Sequence, residues 1–135
     1  MSHPILELDG LDDERALVLK SAGIRTTAKL LEAAKNAKGR KLLAEKTGIS
    51  EKKLLQWANM ADRMRIKGIG GEYAVLLRVV GVDTVRELKY RNASKLALAM
   101  KEANERRKVV RFLPSEKAVG KWIEQAKKLP LKITY

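Results

Sequence analysis

Lys67-Gly68-Ile69-Gly70-Gly71 is the stretch whose residue types and spacing point to a specific chemistry. Glycines turn the backbone without a Cβ clash. They also leave the amides of the following helix's first turn unshielded. Those amides lack intrahelical partners and sit at the positive end of the helix dipole, where a phosphate can be held. The plainer alternative is that Gly68 and Gly70 close a tight interhelical turn and do nothing more. Catalysis has less to work with. There is one histidine, His3, and no cysteine, which excludes disulfides, cysteine zinc sites and thiol catalysis and suits a reducing cytoplasm. No Walker loop, dinucleotide fingerprint or metal-ligand spacing occurs. The expectation is a non-enzyme with no cofactor and no small-molecule substrate.

The elements that must position this turn are helical. A helix starting at the N-cap Ser50, with the apolar stripe Leu54, Trp57, Ala58 and Ala61, runs toward Ile66 and into the turn. A second helix is expected from about Glu72 to Val80, followed by Gly81-Val82-Asp83-Thr84. Helix, glycine turn, helix is the pattern of a helix-hairpin-helix. Further helices are expected over 13–22, from Thr26 or Thr27 to about Asn36, over 37–46, over 84–91 with Thr84 and Glu87 spaced as a capping box, over 93–106 and over 115–128. Ala16, Leu17, Leu19, Leu30, Leu31 and Ala34 are the expected inward positions of the first two. Ile5-Leu6-Glu7-Leu8 and Leu131-Lys132-Ile133 are short extended candidates that could pair.

The chain repeats itself. Gly10-Leu11, Ala16, Leu19, Gly23-Ile24 and Thr26 stand 58 residues before Gly68-Ile69, Ala74, Leu77, Gly81-Val82 and Thr84. Ser50-Glu51-Lys52, Trp57 and Ala61 stand 65 residues before Ser115-Glu116-Lys117, Trp122 and Ala126. The second copy is therefore seven residues longer between its anchors, around Glu105 to Pro114. The expected fold class is all-α: two helix-hairpin-helix repeats, about 5–64 and about 65–129, packed as one pseudo-two-fold compact domain over 1–135. Trp57 and Trp122 should be equivalent core anchors. The first hairpin lacks a leading helix, which predicts that the C-terminal helix packs beside it.

Charge separates the copies. Lys and Arg number 29 against 16 Asp and Glu, a net +13, and such a basic domain usually meets a polyanion. The first hairpin, Asp9-Gly10-Leu11-Asp12-Asp13-Glu14, puts acids where a phosphate would sit, and Asp12 reads as an N-cap. Basic residues gather at Arg63, Arg65, Lys67 and Arg78, at Lys35, Lys38, Arg40 and Lys41, and at Arg106, Arg107, Lys108 and Arg111. With aromatics at 4%, a single-strand stacking platform is not expected. No basic-then-apolar leader and no apolar run of roughly 18–20 residues is seen, so a soluble, cytoplasmic protein without a membrane partner is expected.

Gly68-Ile69-Gly70, Ala74, Leu77 and Gly81-Val82-Asp83-Thr84 resemble the helix-hairpin-helix motif of DNA repair and recombination proteins and of the bacterial RNA polymerase alpha C-terminal domain. The tandem arrangement, with Trp57-Ala58-Asn59, Ala61-Asp62 and Met64-Arg65-Ile66 running into the hairpin, resembles a prokaryotic family of unknown function with two such repeats. The resemblance implies sequence-independent contact with a sugar-phosphate backbone through the amides of Gly68, Ile69, Gly70 and Gly71, sometimes with a monovalent cation at the turn carbonyls. Asp12 and Asp13 depart from that pattern in the first copy. Glycosylases with this hairpin use a catalytic aspartate or lysine in a pocket; Asp83 follows the hairpin here, but Arg25 stands at its place in the first copy.

The expected function is non-enzymatic binding of duplex DNA. Arg65, Lys67, Gly68, Ile69, Gly70, Gly71, Arg78, Arg106, Arg107 and Lys108 are its candidate residues. A protein-interaction or assembly module, with two oppositely charged hairpins facing a partner, is the alternative, as is an RNA-binding accessory protein.

Overall fold

The computed structural model describes residues 2–135. Every α-helix but one starts at a side-chain oxygen that accepts the amide three residues on, as at Asp12, Ser50 and Ser115. Each such cap satisfies one of the four orphan donors of a helix start. This local chemistry sets the bounds: α1 Asp13–Ser21, α2 Thr27–Ala34, α3 Ala37–Thr47, α4 Glu51–Arg63, α5 Gly71–Val79, α6 Val85–Lys89, α7 Ala93–Arg107 and α8 Glu116–Lys128. Among the described residues no strand forms, only an isolated bridge between Pro4 and Thr26. The fold is all-α and compact. No described helix is long and apolar enough to cross a membrane.

Packing follows the apolar stripes. α2, α3 and α4 pack on one another, and α6 and α7 both pack on α8. α5 touches α4 and α7 and so joins the two sets. Leu30, Leu31, Leu54, Leu76, Leu96 and Val119, from five different helices, belong to one continuous buried cluster. Trp57 and Trp122 are both 3% exposed and lie in it. After α7, residues 108–115 form a longer connection than residues 48–50 after α3.

Three expectations are corrected. Leu17 is exposed, because its position on α1 points away from the face carrying Ala16 and Leu19. Ile5–Glu7 coils into a 3-10 turn and does not pair with 131–133. The C-terminal segment instead runs past the first half of the chain: the Thr134 amide donates to the Lys35 carbonyl at 2.7 Å, and Tyr135 Oη to Asn59 Oδ1 at 3.3 Å. Finally, α8 supports the second hairpin, not the first. Trp122 Nε1 faces Gly68, whereas the first hairpin hangs on α4, where Trp57 Nε1 donates to the Asp9 carbonyl at 3.0 Å. The support expected from the C-terminal helix thus goes to the 67–70 turn, and α4 holds the turn at Asp9.

Candidate nucleic-acid interface

The turn between α4 and α5 is built by backbone geometry that only part of its sequence can adopt freely. Gly68 has φ +98°, the left-handed region, and a Cβ there would also press on Trp122 Nε1 at 2.9 Å. Ile69 is buried and its amide donates to the Ile66 carbonyl at 3.0 Å, so that amide is spent within the turn. Gly70 is the N-cap of α5 and offers no side chain; α5 is the one described α-helix without a side-chain cap. The first intrahelical bond runs from the Ala74 amide to the Gly70 carbonyl at 3.0 Å. The first turn of α5 therefore has no side-chain cap, whereas Asp12 Oδ1 takes the Arg15 amide at 2.7 Å on α1. Gly71 lies against the Glu7 carbonyl oxygen, and a Cβ built there would collide with it.

The two hairpins are neighbours. Leu6 to Gly10, the 68–73 turn, Val109 and Phe112 line one open groove of about 770 Å³. Tyr73 on the first turn of α5 ties the groove together. Its hydroxyl donates to the Phe112 carbonyl at 2.8 Å, and its ring lies 5.3 Å from that of Trp122. The loop that follows Arg106, Arg107 and Lys108 is thereby brought to the edge of the glycine turn. All three of those side chains are exposed, and Lys108 caps α7 with φ +50°.

The bases expected around the turn divide by role. Lys67 is exposed. Arg78 pairs with Asp9 at 3.0 Å. Arg65 pairs with Asp62 at 2.6 Å and donates to the Pro130 carbonyl at 3.1 Å, so it fastens the C-terminal segment to α4. Arg63 is buried, and its guanidinium donates to the Asp83 carbonyl and, at 3.1 Å, to the Ala74 carbonyl. Burial lowers its pKa to about 10. Arg40, expected in a surface cluster, is likewise buried. These arginines point inward because their helices present those positions to carbonyls left open at neighbouring helix ends and loops.

Among the described residues no group of three or more His, Cys, Asp or Glu could hold a metal ion. For the monovalent cation that the resemblance implies, the carbonyls of Ile66, Lys67 and Gly70 already accept N–H groups. The carbonyls of Gly68 and Ile69 accept none of these bonds.

Residues 9–129 match the family described as Domain of unknown function (DUF4332). The chain belongs to that family. The match ends just after α8 and takes in the uncapped α5 of this DUF4332 chain and the groove lining from Asp9 on, but not Leu6, Glu7 and Leu8. No curated protein and no solved structure gives a significant match.

Sequence reasoning missed Tyr73, Gln125 and the pairing of Asp9 with Arg78. Gln125 stands 65 residues after Met60, whose Sδ accepts the Asp9 amide at 3.3 Å.

Proposed function

We propose that the chain is a non-enzymatic nucleic-acid-binding module that grips a sugar-phosphate backbone, duplex DNA first, without strong sequence preference. It is read as a tandem helix-hairpin-helix protein. In support, α1 and α5 begin at 13 and 71, α2 and α6 at 27 and 85, and α4 and α8 span 51–63 and 116–128, the offsets of the sequence repeat. The observation that carries the function is the contrast between equivalent helix starts. Asp12 fills the anion position on α1, while Gly70 leaves it open on α5. A net charge of +13 supplies the long-range attraction, and counterion release would make binding fall steeply with salt. A reducing, cytoplasmic setting belongs to the same proposal, from the absence of cysteine.

A second reading, a protein-assembly module, is favoured by one observation. The groove beside the turn carries exposed Leu6 and Phe112 next to Asp9, a mixed apolar and acidic wall that a phosphate backbone does not need.

Titrating labelled random-sequence duplex with protein from about 50 to 200 mM salt tests the proposal. Binding that weakens along a linear log–log plot is expected. No binding at about 50 mM would end the nucleic-acid reading, and a nuclease-resistant protein partner would establish the second one. Tighter binding to duplex RNA than to duplex DNA would change the nucleic acid but keep the mode of contact.

A further inference from the structure

Helix α8 buries Val119, Trp122, Ile123 and Ala126 on one face. On the opposite face Lys117, Lys121 and Lys128 stand at positions i, i+4 and i+11, all exposed. At 1.5 Å per residue they form a row about 16 Å long. Lys67 joins this row from the hairpin. Its amide donates to Gln125 Oε1 at 2.9 Å, and its carbonyl accepts from Gln125 Nε2 at 3.3 Å. Gln125 is one turn beyond Lys121, so this doubly bonded amide fixes the Lys67 backbone beside the stretch of α8 between Lys121 and Lys128. The acid within the row, Glu124, is paired with Lys127 at 3.1 Å. Among the described residues none of Lys67, Lys117, Lys121 and Lys128 has an ion-pair partner.

The same positions in the first half do not make an exposed basic row. On α4, 65 residues earlier, Gln56 stands for Lys121, Met60 for Gln125 and the buried Arg63 for Lys128; only Lys52 matches Lys117. Asp9 stands where Lys67 does, held by Trp57 and Met60. The row is therefore not a by-product of seating a hairpin on a helix, since the first half seats its hairpin without one.

We propose that the α8 row, completed by Lys67, is the strip along which the phosphodiester backbone of a duplex nucleic acid lies, with Gln125 as the residue that positions Lys67. This rests on the nucleic-acid reading above. Four cations in line match a line of phosphates. An acidic membrane is the poorer occupant, because a helix lying in a bilayer surface needs its apolar face free, and that of α8 is in the core. The strip extends the interface from the glycine turn along α8, whose lysines are not among the residues that line the Leu6–Gly10 groove.

The test uses the full chain, a labelled random-sequence duplex and two charge-matched double variants. K117E/K121E should lower affinity about tenfold or more and reduce the slope of log K against log salt by about two, one unit per phosphate contact. K41E/K52E, on exposed sites of α3 and α4, should cost less than about threefold and leave the slope unchanged. Equal losses and equal slopes for the two pairs, with the wild type binding, would overturn the strip while sparing the nucleic-acid reading. A wild type that ignores the duplex would end both. Anionic vesicles of phosphatidylserine and phosphatidylcholine run in parallel: vesicle binding lost in K117E/K121E while duplex binding is kept would also overturn the strip. For Gln125, Q125A and K67A should be non-additive in duplex affinity, because both remove the same placed charge. Additive losses would remove the positioning role.

Discussion

Arg40 on α3 donates one Nη to the Ala34 carbonyl at 2.9 Å and the other to the Thr134 carbonyl at 2.8 Å, 94 positions away in sequence. The C-terminal segment thereby completes the hydrogen bonding of a buried guanidinium in the first half of the fold. Lys132, 3.3 Å from Glu32, adds a weaker tie beside it.

Removing residues 130–135 should therefore destabilise the protein by about 2–3 kcal/mol, mainly by leaving Arg40 buried with one acceptor. Urea denaturation of the full and shortened chains measures this. R40M in the shortened chain should recover part of the loss, since it removes the uncompensated charge. A shortened chain as stable as the full one would show that Arg40 finds solvent without the segment.

Gly70 and Gly71 should respond in opposite ways. A Cβ at Gly70 meets nothing within 4 Å, and its φ of −93° suits any residue. Gly70→Ser should keep stability or raise it by a few tenths of a kcal/mol by capping α5. If the α5 amides hold phosphate, the same hydroxyl competes for them, and duplex affinity should drop several-fold with no change in net charge. Unchanged affinity would remove the amides from the function. Gly71→Ala, pressed on the Glu7 carbonyl, should cost about 2 kcal/mol or more of stability.

Arg63 spans two carbonyls, those of Asp83 and Ala74, from within the core. A lysine there has no planar fork to serve both. Arg63→Lys should cost about 2–4 kcal/mol, while the folded fraction binds duplex like the wild type. A stable variant with weakened binding would return Arg63 to the interface.

Asp62 predicts a pH dependence. Burial raises its carboxyl above the ordinary value of 3.8, against the lowering effect of Arg65 at 2.6 Å. The folded state then holds this proton more tightly than the unfolded chain. The stability it contributes is full below 3.8 and is lost as pH rises through the folded value. Asp62→Asn does not titrate, so the wild type should lose stability relative to that variant as pH is raised from about 4 to 7. Denaturation midpoints at several pH values check this, and a difference of the opposite slope would place the ion pair with Arg65 above burial.

Much of the fold was legible because helix starts are local. A cap such as Ser50 or Thr84 acts on an amide three residues away, at 3.1 Å and 3.0 Å, and no tertiary contact is needed to place it. The apolar stripe of α4, with Trp57 in the core, was legible for the same reason, as was the capping role of Asp12 against the bare Gly70. The partners of long side chains were not. Arg40, Arg63, Arg65 and Arg78 all read as surface bases, yet each meets a group 6 to 94 positions away, at a place set by how the helices stack. Sequence by itself determined where the glycine turn lies and that its helix is uncapped. Only the tertiary structure decided which bases stand free around it, since a guanidinium goes to a carbonyl or carboxylate within reach and packing brings that acceptor near.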